Sequence, residues 1–296
     1  MGRWPKGIGL LVGLGLWLSS SALAEDYEVR LLRPAKVGQT CRESATGTQK
    51  QKLTVTMNGQ VAQEKTDEFT IEFESEITVL EVDKNGEVSK ESHSVIKCDT
   101  VRDGARDVLL APGSILVATA SETGTKFEAQ GGPVAPNIAQ ALELVISVDK
   151  DGETDDQMYG TRERRKVGDT WPINPEAMAS NLRRHKAEAQ KENVDGTMTL
   201  AGLIKVGEVQ CLDVRGAITF KNVGVPMGPG FKTQKQSANL SFEAKVPVDT
   251  SLGRPGESSK MHMELRATGK PNPHAGEVTL DLVLDKASTR RRTFPK

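Results

Sequence analysis

Four histidines, His93, His185, His262 and His274, are the side chains of this chain best suited to move a proton near neutral pH, and none adjoins a recognisable nucleophile motif. The G-x-S-x-G turn that presents a catalytic serine is absent. So is the loop that cradles phosphate, because GVPMGPG at 224–230 does not fit G-x-x-x-x-G-K-[ST] and no helix is predicted behind it. The densest carboxylate cluster is Asp149-Lys150-Asp151-Gly152-Glu153 with Asp155 and Asp156. Aligned on Gly152 as the sixth residue of a calcium loop, it puts Met158 where a bidentate glutamate belongs, so a solvated Asp-Gly turn is the expectation. Met261-His262-Met263 carries donors suited to copper. Adjacent strand residues point to opposite faces, however, so two buried methionines and one exposed histidine are expected instead. No catalytic, cofactor-binding or metal-ligating residue is assigned on these grounds, and no cofactor is expected. Carboxylate pairs that meet only in space stay open.

The chain begins MGRWPKGIGLLVGLGLWLSSSALAED, with two basic residues, a short apolar run and small residues at Ala22 and Ala24. That pattern predicts a secretory leader cleaved near Ala24 and a protein that works in the periplasm or outside the cell. An uncleaved anchor is the rival reading, but the run is short and broken by glycines and serines. The formal net charge of −1 favours neither nucleic acid nor an acidic membrane surface. Two of the three tryptophans fall in the leader, leaving Trp171 alone in the remainder. A site built on stacked rings has little material.

The elements that must position any site are written as hairpins. Asn58-Gly59, Asn85-Gly86 and Gly207-Glu208 each interrupt an alternating apolar pattern, the first two suiting a type I′ turn and the third a type II′ turn. A two-residue loop at Asn85-Gly86 pairs Phe73 with Cys98, Glu74 with Lys97, Ile77 with Ser94 and Thr78 with His93. This register puts Cys98 in the core and His93 towards water. The loop at Gly207 pairs Ile204 with Cys211. Cys98 and Cys211 are therefore expected as buried thiols, and a Cys41–Cys98 bridge stays open because both lie in the same half. Further strands are predicted near 27–33, 115–120, 125–129, 239–246, 261–267 and 277–284. Helices are predicted from Asn137 to about Ser147, with a capping box to Gln140, and from Asn174 to about Gln190, with proline at its first position. The terminal STRRRTFPK reads as a solvated basic tail.

The word KVGQT at 36–40 returns as KVGDT at 166–170, each followed by a long hairpin. Two readings stand: one structural unit used twice, or a good tight turn used twice. The run MYGTRERRKVGDTWPI at 158–173, with GLIKVGEVQCLDVRGAI and FEAKVPVDTS further on, resembles a family of exported bacterial β-proteins known only as a domain of unknown function, in which a K-x-G-D-x-W turn precedes a long hairpin. The resemblance covers about residues 150–285, implies a β-fold and brings no activity with it.

Together these features predict a mainly β protein: two curved antiparallel sheets or partial β-barrels with one or two short helices. The expected division is a signal peptide at 1–24, an N-terminal β unit at 25–135, a helix and connector at 136–157 and a C-terminal β unit at 158–296. The expected function is an exported, non-catalytic structural or binding protein with an unknown protein or an apolar small molecule as partner, without nucleic acid or a transmembrane anchor. Two alternatives stand beside it, a carrier of an apolar or lipid ligand in an incomplete barrel and a carboxylate-dependent hydrolase. A lined cavity would favour the carrier, a convergent acid pair the hydrolase, and solid cores a purely structural role.

Overall fold

The computed structural model describes residues 25–122, 124–185, 187–224, 230–270 and 276–295. The leader, most of the 224–230 loop and His274 lie outside the described residues. The chain is mainly β, as its alternating patterns predict, and its strands build an unclosed, barrel-like antiparallel sheet. In chain order the strands are β1 (Asp26–Tyr27), β2 (Thr40–Met57), β3 (Gln60–Val82), β4 (Val88–Arg102), β5 (Ala105–Val108), β6 (Ile115–Ser121), β7 (Gly124–Ala129), β8 (Gly132–Pro133), β9 (Arg165–Lys166), β10 (Thr170–Pro172), β11 (Val194–Val206), β12 (Val209–Lys221), β13 (Phe231–Pro247), β14 (Gly256–Gly269) and β15 (Val278–Thr293). Three short α-helices, α1 (Pro136–Leu142), α2 (Asp155–Tyr159) and α3 (Pro175–Arg184), and one 3-10 turn (Lys191–Asn193) complete the described elements.

Strands β2 to β8 form one meander and β10 to β15 a second. The two join edge to edge where all of β15 pairs antiparallel with β2, giving a 13-stranded sheet. Each meander keeps its own core on the same face of the sheet. The first packs Ile71, Phe73, Cys98 and Leu116 against Leu142, Val145 and Ile146 of α1 and the strap behind it. The second packs Trp171, Met198, Leu200, Leu212 and Val214 against Met178 and Ala179 of α3. Tyr27, Val29 and Leu31 from the start of the chain belong to this second core, so the first residues of the expected N-terminal unit finish the other half. Of the predicted strand 27–33 only Tyr27 is a strand residue, in the two-residue β1 that pairs with β9.

The two K-V-G-x-T words adopt one hydrogen-bonding scheme. The Gly38 N–H donates to Val79 O while Val79 N donates to Gln39 O; likewise Gly168 N donates to Leu200 O, and Leu200 N to Asp169 O. Both glycines sit at positive φ, 82° and 96°. The side chains of Gln39 and Asp169 each accept from the lysine N–H three residues back. Each turn thus clips the start of one strand to the next strand in the chain, β2 to Val79 near the end of β3 and β10 to Leu200 in the middle of β11, and the shared geometry requires glycine.

Several local expectations change in the folded chain. Asn58-Gly59 is a type I′ turn with both residues at positive φ, but at the neighbouring hairpin only Gly86 is, and the loop is held by Asp83, whose carboxylate accepts from the N–H groups of Asn85, Glu87 and Asp151. The predicted pairing of β3 with β4 holds at Phe73–Cys98 and Glu74–Lys97, then slips by one at a bulge, so that Ile77 pairs with His93 and Thr78 with Ser92. One extra residue turns every following side chain to the other face. His93 is therefore fully buried, not exposed. Helix α1 starts after Ala135 without the predicted side-chain cap and ends at Leu142. Helix α3 begins with Pro175 at its first position as expected, Asn174 capping it through Ala177 N, but it stops at Arg184 instead of running to Gln190. The acidic turn instead closes into α2 through a capping box between Thr154 and Gln157. Cys41, Cys98 and Cys211 are all free thiols, with the last two buried.

Candidate functional site

The terminal arginine run, read from sequence as a solvated tail, is the second half of β15. Strand alternation sends Arg291 outward and Arg290 and Arg292 to the inner face, beside the seam where the two meanders meet. Reading across the seam, Ala244, Glu257, Arg290, Ala45 and Phe73 form one inward row. Arg292 pairs with Glu43 and Glu43 with Ser75 in the next. Glu43 is only 1% exposed; its Oε2 accepts from Arg292 Nε at 2.8 Å and lies 3.4 Å from Arg290 Nε. Arg290 also reaches Glu257 at 3.0 Å and donates to Val145 O at 2.8 Å, tying the strap after α1 to the sheet. That strap lies so close that a Cβ on Gly47 would stand 2.6 Å from Leu144 Cβ, which is why the strand carries glycine there. Arg254, in the turn before β14, contacts Asp155 at 2.9 Å and Glu257 at 3.7 Å through the same Nη1.

These side chains border a cavity of about 540 Å3 between the seam, α2, the strap after α1 and the segment around Leu31–Arg33. One wall is apolar, with Leu31, Val79, Leu144, Tyr159, Leu240 and Phe242. The other carries Arg254, Arg290 and Arg292, with Ser259 and Ser288 hydrogen-bonded to each other at 2.9 Å between the two. At the α2 end stand Glu87, Glu143, Asp149 and Asp155. Burial works against the charge on Glu257, yet Arg290, Arg254 and Arg292 together hold its carboxyl down at about 2. Burial pushes the Cys41 thiol up to about 11, so it is a poor nucleophile at neutral pH. Burial, with repulsion from Asp155, Asp83 and Asp149, raises Glu87 from 4.5 to about 7.

Glu87 therefore makes a pH-dependent contribution. Its folded value lies above the unfolded one, so the stability associated with its proton is fully present below about 4.5 and is lost as pH rises through about 7. Glu87→Gln keeps the neutral form at every pH. We expect it to match the native protein in urea unfolding at pH 4 and to exceed it by about 1 kcal/mol at pH 8, the shift being discounted for solvent in the cavity. A difference that does not change with pH would show that the carboxyl is not desolvated.

One arrangement has the outline of a catalytic relay: Ser75 Oγ lies 3.0 Å from His93 Nδ1, and His93 Nε2 lies 3.1 Å from Glu91 Oε1. Ser75 and His93 are both fully buried and His93 packs edge-on against Phe73, so no substrate reaches the hydroxyl. The relay satisfies three polar groups inside the first core. His262 is half exposed, 2.7 Å from Asp285, and Met261 and Met263 are half-buried, not fully buried as predicted. His185 lies 3.6 Å from Asp149, which also pairs with Arg184. Among the described residues no group of three or more His, Cys, Asp or Glu side chains is arranged to hold a metal ion. A second depression, of about 640 Å3, crosses the opposite face of the sheet. Its side chains, among them Lys50, Glu68, His262 and Asp285, are about half exposed.

The sequence offered one signal for the seam site that went unused. Strand β15 alternates through Ser288, Arg290 and Arg292 in step with the leucines before it.

No family model matches the chain, and no curated protein is significantly similar to it. Among solved structures it is similar to OpdQ of Pseudomonas aeruginosa, with a TM-score of 0.26 and 7% identity over 86% of this chain and 98% of that one. It is also similar to the outer membrane protein OprG of the same organism (TM-score 0.17, 6% identity, 89% and 100% covered) and to a LolA superfamily protein of Nitrosomonas europaea (TM-score 0.16, 6% identity, 89% and 90% covered). None of the three superposes well enough to carry a function across. Among the described residues no helix is long and apolar enough to cross a membrane.

Proposed function

We propose that this chain is an exported, non-catalytic binding protein that carries a small apolar or amphiphilic molecule in the cavity at the seam of its partial barrel. The observation behind this reading is the cavity of about 540 Å3, which the side chains of neither core fill and whose apolar wall continues the core of the second meander. A space of that size, mostly pre-formed and half apolar, suits one small ligand. A purely structural protein gains nothing from leaving it, because unfilled volume costs stability in proportion to its size. The leader MGRWPKGIGLLVGLGLWLSSSALA supports work in the periplasm or outside the cell.

The test uses a neutral, environment-sensitive dye, N-phenyl-1-naphthylamine, and the variant Ser288→Trp, which sets an indole on the cavity floor. Saturable, blue-shifted dye fluorescence is expected with the native protein and about tenfold weaker binding with the variant, both proteins showing the same circular dichroism. Dye binding that the variant leaves unchanged would place the binding surface elsewhere and end the carrier reading.

One observation favours a carboxylate-dependent hydrolase instead: Glu87, raised to about 7, shares the cavity wall with Asp155, whose partner is Arg254. Two carboxyls held in different environments are how acid and base roles are divided. Native mass spectrometry of protein purified from its own host distinguishes the two. Intact ligand released from the native protein and from Glu87→Gln alike supports the carrier, whereas fragments from the native protein and intact ligand only from Glu87→Gln support the hydrolase.

A further inference from the structure

Three arginines line the cavity, and two of them have donors that their partners do not use. Arg290 is fully engaged, with its three nitrogens directed to Glu43, Glu257 and Val145 O. Arg292 donates only through Nε, to Glu43, and neither of its terminal nitrogens has a hydrogen-bond partner among the described residues. Arg254 spends Nη1 on both Asp155 and Glu257, leaving its Nε and Nη2 without one. Both side chains border the cavity and keep about a quarter of their surface open, 28% for Arg292 and 26% for Arg254. Two guanidinium edges are therefore aimed at the same space with donors to spare, and a planar fork of this kind matches a carboxylate or phosphate.

The opposing charges are arranged to leave those donors available. Glu43 and Glu257 are each held by two arginines, and Glu91, on the same wall, is turned to His93. Glu87 and Glu143 also line the cavity and make no ion pair among the described residues. Beyond the serines, the inner face of β15 carries Lys286 and then Leu284 and Leu282, with Met263 and Leu265 beside the leucines on β14 and Leu53 on β2; the apolar side chains are half-buried except the buried Leu265. From Arg290 to Leu284 is six strand residues, or about 20 Å, the reach of a long extended acyl chain.

Resting on the carrier reading above, we infer that the ligand is an anionic amphiphile, a single apolar chain whose carboxylate or phosphate head is held by Arg254 and Arg292 and whose tail runs from the cavity along the leucines of β15. Arg290 shares Glu43 with Arg292 and Glu257 with Arg254, so neither carboxylate takes up all the donors of its second arginine.

The experiment is calorimetric titration of the full chain with four probes of one chain length, dodecanoate, dodecyl phosphate, dodecan-1-ol and dodecyltrimethylammonium, below their aggregation concentrations. Dodecanoate or dodecyl phosphate is expected to bind about tenfold tighter than the alcohol, the size of one or two charge-assisted hydrogen bonds, and the stronger of the two identifies the head. Arg254→Gln and Arg292→Gln should each reduce that preference to about twofold without changing the affinity for the alcohol. Arg254 serves as the second variant because it leaves the Glu43 pair intact should Arg292→Gln fail to fold. Equal binding of all four probes, or a preference for the trimethylammonium compound, overturns the anionic head while leaving the carrier standing. No binding of any probe overturns both.

Discussion

Glu43→Gln is expected to destabilise the protein by about 3–5 kcal/mol, one of the largest single losses outside the apolar cores. The carboxylate is 1% exposed and is the counter-charge shared by Arg290 and Arg292. Removing its charge leaves two guanidinium groups side by side at the seam, one of them with no other acid bonded to it. Because β15 and β2 are the strands that join the two meanders, the loss falls on the pairing that makes a single sheet. Chemical denaturation followed by circular dichroism measures it. The double variant Glu43→Leu with Arg292→Met should recover most of the loss, since replacing both members of a buried pair with apolar groups of similar volume is close to neutral. If the single variant loses under 1 kcal/mol, water in the cavity already screens the pair and the network contributes little to the seam.

Trp171→Ala is expected to cost a similar amount, about 3–5 kcal/mol, by a different cause. The ring is 3% exposed, lies opposite Met198 in the sheet and donates from Nε1 to Tyr159 O at 2.8 Å, with the Arg165 guanidinium 5.6 Å from its centre. Truncation to alanine leaves a hole beneath the second core and an unpaired carbonyl at the end of α2. Trp171→Phe keeps most of the ring and loses the hydrogen bond, so a loss of about 1 kcal/mol is expected on that account, with some further loss from the smaller ring. Once the leader is removed, Trp171 is the sole tryptophan, and the folded protein should emit at short wavelength and shift red on unfolding. Emission like that of water-exposed indole in the folded state would contradict the packing. Since Tyr159 lines the cavity and holds the indole, ligand entry should perturb this emission.

What the sequence determined by itself was local. Alternation of apolar and polar residues marked strands because the side-chain period of a strand is two, and Asn58-Gly59 and Gly207 marked turns because few other residues tolerate their φ angles. The buried Trp171 followed from its isolation and position, and the buried Cys98 and Cys211 from hairpin arithmetic that needs no distant contact. Where that arithmetic failed, at His93, the cause was a bulge. A bulge is favoured by sheet curvature and leaves no residue signature, so the sequence could not place it.

The site belongs to the tertiary structure. Glu43 and Arg292 stand 249 positions apart, and only the pairing of the last strand with the first long one makes them neighbours. Read locally, STRRRTFPK carries too much charge for a core, and a solvated tail is the natural expectation. Tertiary pairing supplied Glu43 and Glu257 as partners, which turns the same three arginines into one exposed residue and two inward ones. Burial of charge is tolerated where opposite charge is brought within bonding distance, and that condition is met by topology, not by any stretch of chain.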